Sequence, residues 1–180
     1  YANGLDDDPV RAYDNREDIK SVGHGMTFRR NLRGADDVGL AMTELSDKVS
    51  TRLRHHEKWA RGVKIELTTP EFKRLSRQKR VPSPINSPAA FRNIAFELIK
   101  ELNYTNKPIR LLTVTAIDLT DSPDGGQITI FSMGASTNEN NQNAKDENIA
   151  KAMDDIRGKF GKSSIKFAHV IGNDIGIDED

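Results

Sequence analysis

The stretch GVKIELTTPEFKRLSRQKRVPSPIN, residues 62–86, has the pattern of two β-strands joined by a turn. In the first strand, apolar and polar residues alternate over residues 63–67, which predicts one buried face and one solvent face. A turn at Pro70 leads to the second strand, where five of the ten residues 72–81 are cationic. The stretch therefore predicts a β-hairpin whose second strand is strongly basic.

The residues before the hairpin predict a strand followed by a helix. The segment SVGHGMTFRRN, residues 21–31, contains β-branched and aromatic residues and ends before Gly34, which predicts a strand. Apolar residues then recur every three or four positions over residues 38–53, as on one face of an α-helix. Asp36 precedes this pattern and is placed to cap the helix.

The residues after the hairpin predict a helix followed by a strand. Ser87 and Pro88 suit the N-cap and the first helical position, and the apolar period continues to about Asn103. The segment PIRLLTVTAIDL, residues 108–119, predicts the last strand. The order β-α-β-β-α-β indicates an α+β fold, in which two helices cover one face of a four-stranded sheet and leave the other face open.

Charge is distributed unevenly along a chain whose net charge is zero. The net charge is −4 over residues 1–19, +9 over residues 20–120 and −5 over residues 121–180. A basic unit between acidic flanks favours an anionic partner, with nucleic acid as the commonest candidate, although a merely solvated basic surface is the alternative. The absence of cysteine excludes disulfides and thiolate metal sites. Because no apolar run approaches the ~20 residues of a membrane span, we expect a cytoplasmic protein without a membrane partner.

The side chains of the basic strand favour contact with phosphates over contact with bases. Single-stranded RNA readers of similar topology stack bases on aromatic residues of their central strands. Here the basic strand has one aromatic residue, Phe72, and the last strand has none. An RNA-binding module of ferredoxin-like topology and a protein-interaction domain remain the alternatives. The side chains that could bind phosphate oxygens are Lys64, Lys73, Arg74, Ser76, Arg77, Lys79 and Arg80.

Three segments resemble the signature strands of a known DNA-binding domain. They are KSVGHGMTF at residues 20–28, LSRQKRVP at residues 75–82 and IRLLTV at residues 109–114. Together and in this order they resemble the little finger, or polymerase-associated, domain of Y-family translesion DNA polymerases of the polymerase IV and ImpB/MucB/SamB type. The opening YANGLDDDPV resembles the end of the preceding thumb domain, so we expect the chain to be a piece of a longer protein.

The resemblance implies a non-catalytic domain, a ferredoxin-like variant that lies in the major groove of primer-template duplex and grips both strands by their phosphates. The parent polymerase would hold magnesium in a palm domain, and this fragment is expected to have no cofactor, metal site or catalytic residue of its own. Thr113 stands where the family often has glycine, and a bulge is expected between Phe72 and Val81 because apolar residues occur there at both parities. The matching positions imply DNA contacts at Gly23, His24, Thr27, Arg29, Ser76, Arg77, Lys79, Arg110 and Thr113.

Two local patterns could suggest metal ligands, and each has a simpler interpretation. The three aspartates at residues 6–8 precede a proline, as in a solvated extended tether. His55 and His56 are neighbours on a predicted helix, where their side chains point about 100° apart.

The residues after the last strand predict a linker, a helix and an arm. The pentapeptide QITIF resembles the motif by which bacterial polymerases hold the sliding clamp, and an edge strand is the alternative. Its implied clamp contacts are Gln127, Ile128, Ile130 and Phe131. A helix is predicted over residues 146–160 with Gly161 as its C-cap, followed by a strand or extended arm at residues 163–171. The apolar face of this helix, formed by Ile149, Met153, Ile156 and Phe160, must be buried somewhere, which leaves a dimer open.

The predicted organisation thus has four parts. They are a thumb end and acidic tether at residues 1–19, a little finger domain at residues 20–120, a flexible linker with the clamp-binding-like motif at residues 121–148, and a C-terminal helix and arm at residues 149–180.

Overall fold

A computed structural model of the chain describes residues 19–123, 137–161 and 163–177. The element order β-α-β-β-α-β and the α+β class are as predicted, and a third helix and a short 3-10 helix, Ala168–Val170, follow. In chain order the elements are β1 (Ser21–Leu32), α1 (Gly34–His55), β2 (Trp59–Thr68), β3 (Arg74–Ile85), α2 (Pro88–Glu101), β4 (Ile109–Thr120) and α3 (Thr137–Phe160).

The four strands form one antiparallel sheet in the order β1-β4-β2-β3. The predicted hairpin is present as β2 and β3, and the basic strand β3 lies at one edge of the sheet. As an edge strand, β3 can continue through Pro82 and Pro84 to Ile85, because the amides on its outer side need no partner strand.

The core lies between one face of the sheet and helices α1 and α2. The alternating residues Val63, Ile65 and Leu67 of β2 are at most 1% exposed, as the period-two pattern predicts. The predicted stripe of α1 is equally buried, and Phe91 of α2 closes the layer. The members of the α1 stripe are Val38, Met42, Leu45, Val49 and Leu53.

The two helix starts differ in how well they were predicted. At α2, Ser87 is the N-cap, and the backbone N–H of Ala90 donates to its hydroxyl at 3.3 Å, as predicted. At α1, the cap predicted at Asp36 is wrong, because that residue lies inside the first turn. The neighbouring carboxylate of Asp37 instead accepts a 2.7 Å hydrogen bond from the backbone N–H of Arg33.

Helix α3 begins at Thr137, nine residues before its predicted start at Asp146. The added residues are almost all polar, so this part of the helix has no apolar period from which it could be predicted. The C-terminal end is as predicted, since Gly161 has a φ of +100° and its N–H donates to the carbonyl of Arg157 at 3.0 Å.

Helix α3 contacts the domain through polar side chains and one small residue. Ala150 is 3% exposed, and Asp154 accepts a 2.6 Å hydrogen bond from Arg54 of α1. Arg157 forms a 2.8 Å ion pair with Asp47, and both side chains are largely buried. Most of the predicted apolar face does not dock: Met153 is half-buried, but Ile149 is 60% exposed, Ile156 is 37% and Phe160 is 75%. A dimer through these residues stays a prediction.

The segment after α3 packs against β1. The predicted strand or arm over residues 163–171 is a series of turns with the 3-10 helix, and Val170, Ile175 and Ile177 join the hydrophobic core. The backbone N–H of Arg29 donates to the carbonyl of Ile175 at 3.2 Å. The guanidinium of Arg30 binds two carboxylates, one from the start of α1 and one from Asp174. Core burial and ion pairs together therefore hold this segment on the domain.

Within the described ranges, no helix is long and apolar enough to cross a membrane.

Candidate nucleic-acid interface

Strand pairing assigns each side chain to one of the two faces of the sheet. Residues directly opposite each other in an antiparallel sheet point to the same side. Ile65 is buried under the helices and pairs with Val114 and Arg77, so these three residues share the helix-covered side. Lys64 pairs with Thr115 and Gln78, and these point to the uncovered side.

The side that no described element covers, here called the open face, consists of four rows of four residues across the sheet. The first row is Ser21, Ile117, Gly62 and Arg80; the second is Gly23, Thr115, Lys64 and Gln78; the third is Gly25, Thr113, Glu66 and Ser76; and the fourth is Thr27, Leu111, Thr68 and Arg74.

Half of the open face, along β1 and β4, contains glycines and short side chains with hydroxyl groups. A Cβ atom added at Gly23 would lie 2.8 Å from Oγ1 of Thr115, and one added at Gly25 would overlap Thr113 in the same way. The two threonine side chains thus fill the space that the glycines leave. A polyanion can approach such a surface closely and find hydroxyl donors there.

The other half, along β2 and β3, carries the charges. Lys64 lies 3.3 Å from the carboxylate of Glu66, and Arg80 lies 3.1 Å from that of Asp118. Arg74 is exposed at the end of the fourth row. Because these side chains are solvent-accessible, their ion pairs are weak, and a phosphate can replace a carboxylate.

The remaining cations of β3 point to the opposite side, toward α2. Arg77 lies 3.4 Å from Glu101, and Lys79 lies 2.7 Å from Glu97. The hydrogen bond to Glu97 raises the pKa of Lys79 above its usual value. These two cations are matched by carboxylates of the neighbouring helix.

Residues 19–130 match the model of the impB/mucB/samB family C-terminal domain. The chain belongs to this family. The DNA polymerase IV of Acetivibrio thermocellus is 32% identical over 167 residues, covering 92% of this chain and 40% of the relative. The DNA polymerase IV of Clostridium kluyveri is 28% identical over 171 residues, covering 95% and 42%. The chain therefore spans about two fifths of the length of these curated relatives.

The fold of this ImpB/MucB/SamB domain also occurs in a solved Y-family polymerase. The domain superposes on a Y-family DNA polymerase chimera of Dbh and Dpo4 with a TM-score of 0.51 and 16% identity. The match covers 59% of this chain and 30% of the chimera. The resemblance read from the three signature strands is thus confirmed for the family and for the fold.

The nine DNA contacts implied by the resemblance fall into three groups in this ImpB/MucB/SamB domain. Four lie on the open face, three lie on the helix-covered side, and two lie at the margins of the sheet. The open-face residues are Gly23, Thr27, Ser76 and Thr113; the helix-side residues are His24, Arg77 and Lys79; the marginal residues are Arg29, beside Gly176, and Arg110, beside Phe72.

The bulge expected between Phe72 and Val81 is absent from the paired residues Arg74–Arg80, and the irregularity of the basic strand lies directly after them. Pairing runs in register from Gly62–Arg80 to Thr68–Arg74, whereas Ala60 pairs with Ile85, so β3 has three more residues than β2 between these two pairs. The expectation failed because Phe72 belongs to the turn and not to the strand. Once it is removed, the apolar residues Leu75 and Val81 share one parity.

The contacts implied by the resemblance leave out several open-face residues, among them Gly25 and Thr115, and also Arg74 and Arg80, which the charge of the basic strand had already indicated as phosphate ligands. Simple alternation from Gly23, Thr113 and Ser76 would have found them, because every second residue of a strand shares a face. The candidate clamp contacts at residues 127–131 and the aspartates at residues 6–8 lie outside the described residues. Within the described ranges, no three His, Asp or Glu side chains are grouped so that they could hold a metal ion.

Proposed function

We propose that this domain is the non-catalytic DNA-binding domain, or little finger, of a Y-family translesion DNA polymerase, and that it grips primer-template duplex through its open face. Magnesium-dependent nucleotidyl transfer is assigned to the rest of such a polymerase. The observation that carries the proposal is a sheet face that combines glycines, hydroxyl groups and cations and that none of the elements in the described ranges covers.

The dimensions of the open face suit duplex DNA. Four strands about 4.8 Å apart give a width of about 14 Å, and seven residues along a strand give a length of about 20 Å. The major groove of B-DNA is about 12 Å wide. A sheet of this width can therefore reach the phosphates on both sides of the groove.

The chemistry of the open face favours phosphates over bases. Among its sixteen residues none is aromatic, so a row of stacked bases has no platform there. Lys64, Arg74 and Arg80 supply charge, while threonine and serine hydroxyls supply neutral donors. Binding should therefore be independent of sequence, which suits a polymerase domain that travels along the template.

The test is fluorescence anisotropy of this chain on a primer-template duplex, on an unrelated duplex and on a single strand of equal length, across a salt series. We expect the two duplexes to bind alike and more tightly than the single strand. A contact with about three to six phosphates gives a slope of log K against log salt of about −3 to −5. A flat slope would refute the proposal, and tighter binding of the single strand with base preference would favour the RNA-binding module.

Two arginines of β3 provide a matched pair of variants. Arg74→Gln removes a charge from the open face and should make the salt slope less steep by about one unit. Arg77→Gln removes the same charge from the helix-covered side of the same strand and should leave the slope unchanged. If Arg77→Gln changed the slope and Arg74→Gln did not, the DNA would contact the helix-covered side of β3 and not the open face.

We also propose that QITIF binds the sliding clamp, because it resembles a known clamp-binding pentapeptide and follows β4 by only a few residues. A glutamine amide and an Ile-Phe anchor suit a pocket on a partner protein. Surface plasmon resonance on an immobilised bacterial clamp should detect binding that Phe131→Ala abolishes. Phe160→Ala, which removes an exposed phenylalanine of α3, is the control and should bind normally. Equal loss in both variants would contradict the assignment.

A further inference from the structure

Phe72 occupies an unfavourable position for an aromatic residue. It lies in the turn between β2 and β3, its side chain is 70% exposed, and its φ is +62°. The turn is closed by two hydrogen bonds of 2.9 Å, from the N–H of Thr69 to the carbonyl of Lys73 and from the N–H of Phe72 to that of Thr69. Glycine would adopt this left-handed backbone without steric cost, whereas a bulky residue does so rarely.

One side of the Phe72 ring is covered by an arginine. The Cζ atom of Arg110 lies 5.0 Å from the ring centroid, within the range of a cation–π contact. The ring is not part of the hydrophobic core. Its position is thus explained neither by core packing nor by the needs of the turn.

The Phe72–Arg110 pair lies at the end of the sheet, beyond the fourth row of the open face. Arg110 directly precedes Leu111, and Phe72 lies two residues before Arg74; both of these neighbours belong to the fourth row. Lys73, Arg74 and Arg110 are all exposed. An accessible aromatic ring is therefore covered on one side by a cation and followed in sequence by two more, at the margin of a surface suited to phosphates.

We propose that the Phe72 ring, braced by Arg110, stacks on an unpaired nucleobase where single-stranded DNA adjoins the duplex held on the open face. This inference rests on the proposed function. Bases within a duplex are already stacked on both sides, so an exposed ring finds a partner only where pairing ends. Cationic side chains beside an aromatic ring are the usual combination for single-stranded nucleic acid, because the cations bind the phosphates on either side of the stacked base.

The test compares a blunt duplex with the same duplex carrying a single-stranded overhang, by anisotropy, with 2-aminopurine as the first unpaired base. We expect the wild-type chain to quench 2-aminopurine fluorescence on binding. Phe72→Gly should abolish the quenching and weaken overhang binding at least about fivefold, the low end of base–aromatic stacking. It should leave blunt-duplex affinity unchanged and raise the melting temperature, because glycine relieves the backbone. Phe72→Trp should keep both the quenching and the overhang affinity.

Asn103→Gly is the matched control. Asn103 also has a positive φ, +58°, but it follows α2 and belongs neither to the turn nor to the rows of the open face. This substitution should change stability through the same backbone effect and leave both affinities unchanged.

The outcomes separate this inference from the proposed function. If the wild-type chain binds neither DNA, the proposed function fails. If it binds both and Phe72→Gly weakens them equally or not at all, the stacking inference is overturned while the proposed function stands. Should Phe72→Gly fold poorly, the wild-type quenching and its retention in Phe72→Trp decide: an unquenched wild-type complex overturns the inference.

Discussion

Neutralising Glu66 should tighten DNA binding, and this change tests which face of the sheet meets the duplex. Glu66 lies in the third row of the open face between Thr113 and Ser76. Its side chain is 49% exposed, and its carboxylate lies 3.3 Å from the ammonium group of Lys64. A phosphate bound by that ammonium group would therefore be repelled by a carboxylate close by.

The size of the repulsion follows from this geometry. One charge-assisted hydrogen bond of about 2.8 Å, added to the 3.3 Å of the ion pair, separates phosphate and carboxylate by about 6 Å. Two unit charges at about 6 Å repel each other by about 0.7 kcal/mol in water and by about 1.4 kcal/mol at an effective dielectric constant of about 40. Glu66→Gln should therefore raise duplex affinity about three- to tenfold at low salt, and less at physiological salt because of screening.

The assay is anisotropy on a primer-template duplex at low and physiological salt, with Glu97→Gln as the matched control. Glu97 pairs with Lys79 at 2.7 Å on the helix-covered side, and its side chain is 55% exposed. Both variants change the net charge by the same amount. An equal gain in both would mean that only net charge matters, and a larger gain from Glu97→Gln would refute the assignment of the duplex to the open face.

Three further predictions concern stability. Arg157→Ala leaves the buried carboxylate of Asp47 without its ion-pair partner, so it should lower the unfolding free energy in urea by about 3–5 kcal/mol and speed hydrogen exchange in α3. The double variant with Asp47→Ala should recover part of this loss. If the losses of the two single variants simply add, the two side chains do not interact. Gly23→Ala brings a Cβ atom to 2.8 Å from Thr115 and should lower the free energy of unfolding, measured thermally, by about 1–3 kcal/mol. Adding Thr115→Ala should restore most of this loss. Unchanged stability of the single variant would show that the strands can adjust. The hydrogen bond from the guanidinium of Arg30 lowers the pKa of Asp37. The ionised carboxylate therefore stabilises the fold above the unfolded pKa of about 3.9, and this stabilisation is lost as the pH falls through the folded pKa. Asp37→Asn should flatten the decline of unfolding free energy between about pH 5 and pH 2, and an unchanged decline would assign it to other carboxyl groups.

Much of the fold could be predicted because its signals are local. Residues 63–67 alternate with the period of a strand, and the stripe from Val38 to Leu53 follows the period of a helix. The apolar residues of both patterns are buried, as predicted. Ser87 could be identified as an N-cap because a cap depends on a few neighbouring residues. Asp36 and Asp37 both fit the start of α1, and only the position of the first turn distinguishes them.

The candidate site was only partly predictable. The three signature segments identified the family and three of the four strands, yet they combined residues of both sides of the sheet in one set of DNA contacts. Arg77 and Lys79 matched the motif, but their pairing with Ile65 and Val63 turns them toward α2. Phe72 was read as part of the strand, although it closes the turn and lies beside Arg110.

For residues 20–120, the sequence by itself determined the six elements, their order and the excess of positive charge, because periodicity and composition are properties of the chain. Only the tertiary structure decided which cations of β3 share the open face. Alternation divides the residues of a strand into two sets, and pairing with a buried residue of the next strand shows which set faces the helices. The tertiary structure also decided that α3 docks by Asp154 and Arg157 and not by most of its apolar stripe. A helix packs where its partner surface offers complementary groups, and those groups lie about a hundred residues away on α1.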